Sequence, residues 1–200
     1  MPASRFLSIT SRRAEWRRRT NAEILNEKQF ALLKERERYY LAGVMGFAGP
    51  WERSGLAGDE LARFVADAQL ALQIELDRLR AEQGEHLLVA TGATSTGVLQ
   101  LTYALCTAGN IGAMSVAPDC ALNYELGPLR YVIPCGRDFG DESDLFVALC
   151  DEFVLLGGGK QSHRETLAAS AQGKPITVIQ GFGGIADELT SAELPGARFV

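Results

Sequence analysis

The chain has 200 residues, 46% of them hydrophobic and 22% charged, with a formal net charge of −5. That is enough length for one domain with a real core, in the composition of an ordinary water-soluble globular protein. The acidic balance argues against nucleic acid as the main partner. No apolar run reaches the roughly 18 residues that a membrane helix needs, and no apolar leader opens the chain.

The four cysteines, Cys106, Cys120, Cys135 and Cys150, form no C-x-x-C pair and have two histidines for company. No metal site is expected from them, and reduced thiols in a cytoplasmic protein are.

In chain order, SRRAEWRRRT comes first, with five arginines between Arg12 and Arg19 around Trp16. It reads as a basic helical arm, solvated or docked on an acidic patch of a neighbouring subunit. Residues 21–38 then predict a helix capped by Thr20 or Asn21, so that 1–38 form an N-terminal extension and 39–200 the main domain. YYLAGVMGFAG predicts a buried strand. The strongest helix covers 59–83, with Leu61, Phe64, Val65, Ala68, Leu72, Leu76 and Leu79 at helical spacing, Asp59 as cap and Gly84 as stop.

HLLVAT and IGAMSVAP predict strands around the helix VLQLTYALCTAG, and LRYVIP a fourth strand. ESDLFVALC reads as a helix, EFVLL as a strand, HRETLAASAQG as a helix, PITVI as the last strand and GIADELTSAEL as a closing helix. Strands that are apolar throughout and alternate with helices predict an α/β fold: a mainly parallel sheet covered on both faces, a three-layer sandwich.

The glycines gather where strands end. Gly46 follows the first strand and Gly92, Thr94, Ser95, Thr96 and Gly97 the second. Gly158, Gly159, Lys160, Gln161 and Ser162 follow EFVLL, and Gly181, Gly183 and Gly184 follow PITVI. In an open α/β sheet, ligands bind outside the carboxyl ends of the strands. Helix N-termini there offer unpaired N–H groups to an anion. These residues are therefore the expected contacts of a phosphate-bearing ligand, with Asp187 either a first-turn acid or a partner for a ribose hydroxyl.

Two phosphate motifs are absent. Gly159-Lys160 is followed by glutamine, so there is no P-loop, and GATSTG is not G-x-G-x-x-G. No G-x-S-x-G elbow marks a Ser-His-Asp hydrolase.

Three stretches together carry a family resemblance over roughly residues 39–191. LLVATGATSTGVLQLTYALCTAGNIGAMSVAP resembles the strand, glycine loop, helix and strand of Lonely Guy (LOG) and lysine decarboxylase-like proteins. DEFVLLGGGKQSHRETL is similar to their D-x-F-I-x-L-P-G-G-x-G-T-x-x-E, and GKPITVI to the strand that follows. VIQGFGGIADEL resembles the G-S-G-x-x-A-D stretch of the wider SLOG superfamily, seen also in melastatin-type TRP channels.

The resemblance implies a Rossmann-like domain, commonly dimeric, that binds nucleotides or their derivatives. In the LOG branch it cleaves the N-glycosidic bond of a nucleoside monophosphate. No resident cofactor is implied. Gly158 and Gly159 fall on the paired glycines, Ser162 on the threonine and Glu165 on the final, catalytic glutamate. Gly157 replaces the proline and Gln161 the third glycine. The catalytic arginine's place falls on Glu142, leaving Arg137 as the arginine for that role.

Two functions stay open: a nucleotide-binding protein without hydrolysis, and a phosphoribohydrolase using Glu165 and Arg137. Leu70, Ala71 and Ile74, outside the main stripe of the 59–83 helix, predict burial against a second copy, as does the helix from Val98 to Cys106.

Overall fold

The computed structural model describes residues 9–49 and 55–200. Its strands are β1 (Glu23–Ile24), β2 (Tyr40–Gly46), β3 (Leu87–Ala90), β4 (Gly112–Ala117), β5 (Tyr131–Pro134), β6 (Glu152–Leu156), β7 (Ile176–Ile179) and β8 (Arg198–Phe199). They form one sheet in the order β1-β5-β4-β3-β2-β6-β7-β8, and every neighbouring pair is parallel.

Side-chain alternation along each strand sorts the apolar residues onto two faces. Ala42, Val44, Leu87 and Val89 join one core, against Trp16 of α1 (Ile9–Thr20), Leu72 and Leu76 of α3 (Gly58–Gln83) and Val98 of α4 (Gly97–Ala108). Leu41, Met45, Leu88 and Ala90 join the other. There they meet Phe30 of α2 (Glu27–Glu37), Phe146 of α5 (Ser143–Leu149), Ala169 of α6 (Lys160–Ala171) and Ala186 of α7 (Ile185–Glu188). The expected three-layer α/β sandwich is what the chain forms.

The N-terminal segment departs from expectation. Trp16 is fully buried, so α1 is not a solvated arm. Its arginines dock on this same chain: Arg12 lies 2.7 Å from Asp119, and Arg19 Nη2 donates to the Tyr124 carbonyl at 2.9 Å.

The helix expected from residue 21 starts only at Glu27. A capping box inside the stretch sets that start: Asn26 Oδ1 accepts from Gln29 N, and Gln29 Oε1 accepts from Asn26 N, both at 2.9 Å. Released from the helix, Glu23 and Ile24 pair with Tyr131 and Val132 at the sheet edge. At α3, Ala57 occupies the cap and Asp59 the first turn, while Gly84 ends the helix as expected. The closing helix is four residues long, and the chain then adds β8 beyond β7, so PITVI is not the last strand.

Lysines finish α5. Lys174 Nζ donates to the Val147 and Cys150 carbonyls at 2.5 Å, and Lys34 Nζ to that of Leu149 at 2.8 Å. The lysine of the G-K-P stretch is thus committed to a helix C-terminus, where a cation is favoured. Among the described residues, no helix is long and apolar enough to cross a membrane and no cluster of His, Cys, Asp or Glu could hold a metal ion.

Candidate functional site

From β2 the chain steps through β3, β4 and β5 in one direction, then returns to β6 on the other side of β2. That reversal leaves a crevice at the carboxyl edge, the usual ligand position in such sheets. Ala90, Leu156 and Ile179 all end their strands on this edge, as the shared parallel register requires.

The loops divide between two cavities. The first, of about 410 Å³, is lined by Gly46, Gly92, Thr94, Gly159, Lys160, Gln161, Ser162 and Glu165, joined by Phe139, Glu142 and Phe146. The second, of about 420 Å³, takes Gly158, Gly183, Gly184, Phe64 and Phe182. Phe47 lines both. GFGG therefore does not face the same space as GATSTG, contrary to the single cleft expected.

Gly181 lines neither cavity; its N–H and that of Gly183 donate to the two oxygens of Asp187, at 2.7 and 2.9 Å. Both oxygens serve the turn, so Asp187 is not turned to a ribose. Gly184 has φ +65° and sits where a Cβ would meet the Gly158 carbonyl oxygen at 2.4 Å. The Ile185 and Ala186 amides donate to the Gly158 and Gly157 carbonyls, so the two glycine loops brace each other.

Of the helices that start at this edge, α4 and α6 begin in different surroundings. At α4, Val98 N donates to the Phe47 carbonyl and Thr96 Oγ1 to that of Ala48, both at 2.8 Å. Ser95 N is taken by the Glu125 carbonyl. Gly97 has φ +56° and lies so close to Phe47 that a Cβ would stand 2.2 Å from its carbonyl oxygen. Ser95, Thr96 and Gly97 hold the β2 and β3 loops together and line neither cavity. Neither helix has a side-chain cap, but at α6 Gly159 has open space where its Cβ would be, and no backbone carbonyl from another loop meets the first-turn amides among the described residues. That terminus opens into the first cavity, where Lys160 lies with no acidic partner among the described residues.

Behind it lies a buried polar network. Gln161 Nε2 donates to Glu142 Oε1 and Glu165 Oε1, both at 2.9 Å. Ser143 Oγ donates to Glu165 Oε1 at 2.6 Å, and Gly140 N to Glu142 Oε2 at 2.8 Å. Arg164 Nη2 donates to the Gly140 carbonyl and to Ser143 Oγ.

The two departures from the LOG pattern, Glu142 and Gln161, are thus one arrangement: a carboxamide with two N–H groups bridges two carboxylates. Ser143, Phe139 and Phe146 were not marked by the sequence; only their spacing from Glu142 tied them to the edge. Arg137 is exposed and lines neither cavity. Its backbone N–H donates to Asp141 Oδ2 at 2.8 Å. No arginine lines the first cavity among the described residues.

Burial raises the Glu165 carboxyl above its ordinary value of 4.5; hydrogen bonds from Ser143 and Gln161 oppose the shift, and the charge of Glu142 adds to it. A raised carboxylate contributes stability that is complete below the unfolded pKa and lost as pH rises through the folded one. Ionised Glu165 therefore costs the empty fold stability at neutral pH. Glu165→Gln keeps an oxygen for Ser143 and Gln161, so it is expected to raise the melting temperature more at pH 8 than at pH 5. Melting curves of both proteins at the two pH values measure this; an equal or negative change at pH 8 would contradict it.

No protein-family model matches the sequence, and no curated protein does. Solved structures do. The X-ray structure of TM1055 shares 23% identity at a TM-score of 0.60, covering 80% of this chain and 92% of that one. The molybdenum cofactor binding protein of the phototrophic bacterium Rippkaea orientalis shares 17% identity at 0.60, covering 82% and 90%. The molybdenum cofactor carrier protein of Chlamydomonas reinhardtii shares 16% at 0.57, also covering 82% and 90%. Over about 80% of its length, this chain shares the fold of these solved structures, a parallel sheet between two layers of helices.

Proposed function

We propose that the protein binds a nucleotide or nucleotide-derived small molecule at the first cavity without cleaving it, with the ligand's phosphate at the N-terminus of α6. The observation that carries this reading is the contrast between the two helix ends. At the start of α4 the Val98 amide is taken by the Phe47 carbonyl and Gly97 is pressed against that loop, whereas the start of α6 opens beside Lys160, the Ser162 hydroxyl and the bare face of Gly159. Such a terminus favours an anion. Gly46, Gly92 and Thr94 form the facing wall.

A cavity of about 410 Å³ suits a small ligand. The solved structures described as carriers or binders of molybdenum cofactor share this fold, which makes that cofactor a ligand to test alongside simple nucleotides.

The hydrolase reading rests on Glu165, a buried carboxylate in the cavity that could stabilise a developing oxocarbenium ion. Against it stand Glu142 where the family has arginine, and Arg137 outside the cavity.

A thermal-shift panel of nucleoside mono- and diphosphates and molybdenum cofactor tests the binder. A ligand at 100 times its Kd adds about 2.7 kcal/mol of stability. We expect such a shift, and no free base from any nucleoside monophosphate. Base release abolished by Glu165→Gln would establish the hydrolase instead.

A homodimer in the cytoplasm completes the proposal. The free cysteines suit a reducing compartment. On α3, Leu70 and Ile74 are each 57% exposed. Light scattering should give twice the chain mass, falling to one chain in Leu70→Glu/Ile74→Glu; a wild-type monomer at micromolar concentration would refute this.

A further inference from the structure

The geometry points to a ligand whose planar ring presents two adjacent N–H donors to the floor of the first cavity, the edge that guanine has and adenine lacks. This rests on the nucleotide-binding reading and concerns which base the site selects.

The argument is an accounting of donors. Gln161 Nε2 carries two hydrogens, and its two short contacts, both 2.9 Å, go to Glu142 and Glu165. The Ser143 hydroxyl proton goes to Glu165 Oε1 at 2.6 Å, and Arg164 Nη2 is engaged by Gly140 and Ser143. With those donors committed, the groups left around Glu165 are acceptors, and the donors of Lys160 and Ser162 stand at the helix end assigned to the phosphate. Glu165 Oε2 and Gln161 Oε1 have no hydrogen-bond partner among the described residues, and neither is enclosed. The orientation of the Gln161 amide follows from its neighbours, since turning it over would set its oxygen against two carboxylates.

An acceptor-only floor must be met by ligand donors, because an acceptor placed there leaves buried polar groups unpaired. With Glu165 Oε1 already accepting twice, the two free acceptors are Glu165 Oε2 and Gln161 Oε1, one on each side chain, and a ring edge with two neighbouring N–H groups supplies a donor for each. Guanine offers N1–H beside its 2-amino group, whereas adenine sets its ring N1 acceptor beside its amino group.

Aromatic residues provide for the ring itself. Phe139 lines the cavity and pairs with Tyr124, ring centroids 5.7 Å apart, and each is 51% exposed. Phe139, a half-exposed ring in the cavity wall braced by Tyr124, offers a stacking surface for a base. Glu165 lies five residues beyond Lys160 on the same helix, about 7.5 Å along its axis. A phosphate at the helix end and a ring near Glu165 are thus separated by room for a ribose.

The test compares GMP, IMP and AMP by calorimetry on the full chain. IMP keeps N1–H but lacks the 2-amino group. GMP is expected to bind at least about tenfold more tightly than AMP, with IMP between them. Glu165→Gln, which turns one acceptor into a donor, should bring the GMP to AMP ratio close to one. Phe139→Ala should weaken all three alike.

Equal affinity for GMP and IMP would overturn the two-donor assignment. Equal affinity for GMP and AMP would overturn ring recognition and assign the floor to ribose hydroxyls, with phosphate binding intact. If none of the three binds while molybdenum cofactor also fails, the nucleotide-binding reading itself falls.

Discussion

Trp16→Ala is expected to destabilise the protein by about 3–5 kcal/mol, the usual cost of removing a fully buried large aromatic side chain. Trp16 has no exposed surface and joins the core that includes Ile24 of β1 and Val132 of β5. Its loss would release α1 and with it the short strand at the sheet edge. A control separates packing from polarity. Trp16 Nε1 is buried without a hydrogen-bond partner among the described residues, so Trp16→Phe removes an unsatisfied donor along with part of the ring and should cost much less. Denaturant unfolding reads both. A loss below about 1 kcal/mol for the alanine variant would mean that the basic segment is the loose arm its composition suggested.

Gly184→Ala should cost about 3 kcal/mol and also weaken ligand binding. Two penalties combine: a left-handed backbone at φ +65°, worth about 1–2 kcal/mol for a residue with a Cβ, and a methyl group driven against the carbonyl of Gly158. Relief requires the loop after β6 to move, and that loop leads into the first turn of α6. Glycine at 159 has no such constraint, so Gly159→Ala should leave stability nearly unchanged while crowding the anion position. Paired melting and binding measurements distinguish them; a Gly184→Ala protein as stable as wild type would show that the two loops are not braced.

The sheet was legible because buried parallel strands are apolar on both faces, and the FVLL and LLVA runs say so without help from neighbours. β1 and β8 were not, since two residues carry no periodicity, and Glu23 and Arg198 are polar. The start of α2 was misplaced by six residues: Asn26 has Gln29 three positions on to complete a capping box, which Asn21, followed there by Ile24, lacks. The pairing of Glu23 with Tyr131 then draws the released residues into the sheet.

Gly46, Gly92, Gly158, Gly159, Gly183 and Gly184 do line cavities at the carboxyl edge, because backbone demands are written in sequence. Which helix end is open was not written there. That depends on where the Phe47 carbonyl arrives from a distant loop. Arg137 lies outside both cavities for a related reason: its place in sequence is near Glu142, but its chain turns around Asp141 and leaves it exposed.

The bridge from Gln161 to Glu142 and Glu165 makes the cost of changing any one of them depend on the other two. If Gln161 alone became glycine, two acids would face each other across an unfilled gap. If Glu142 alone became arginine, its guanidinium would meet the amide hydrogens of Gln161. Each change is costly without the other, so substitutions that look incompatible one at a time become tolerable only when made together.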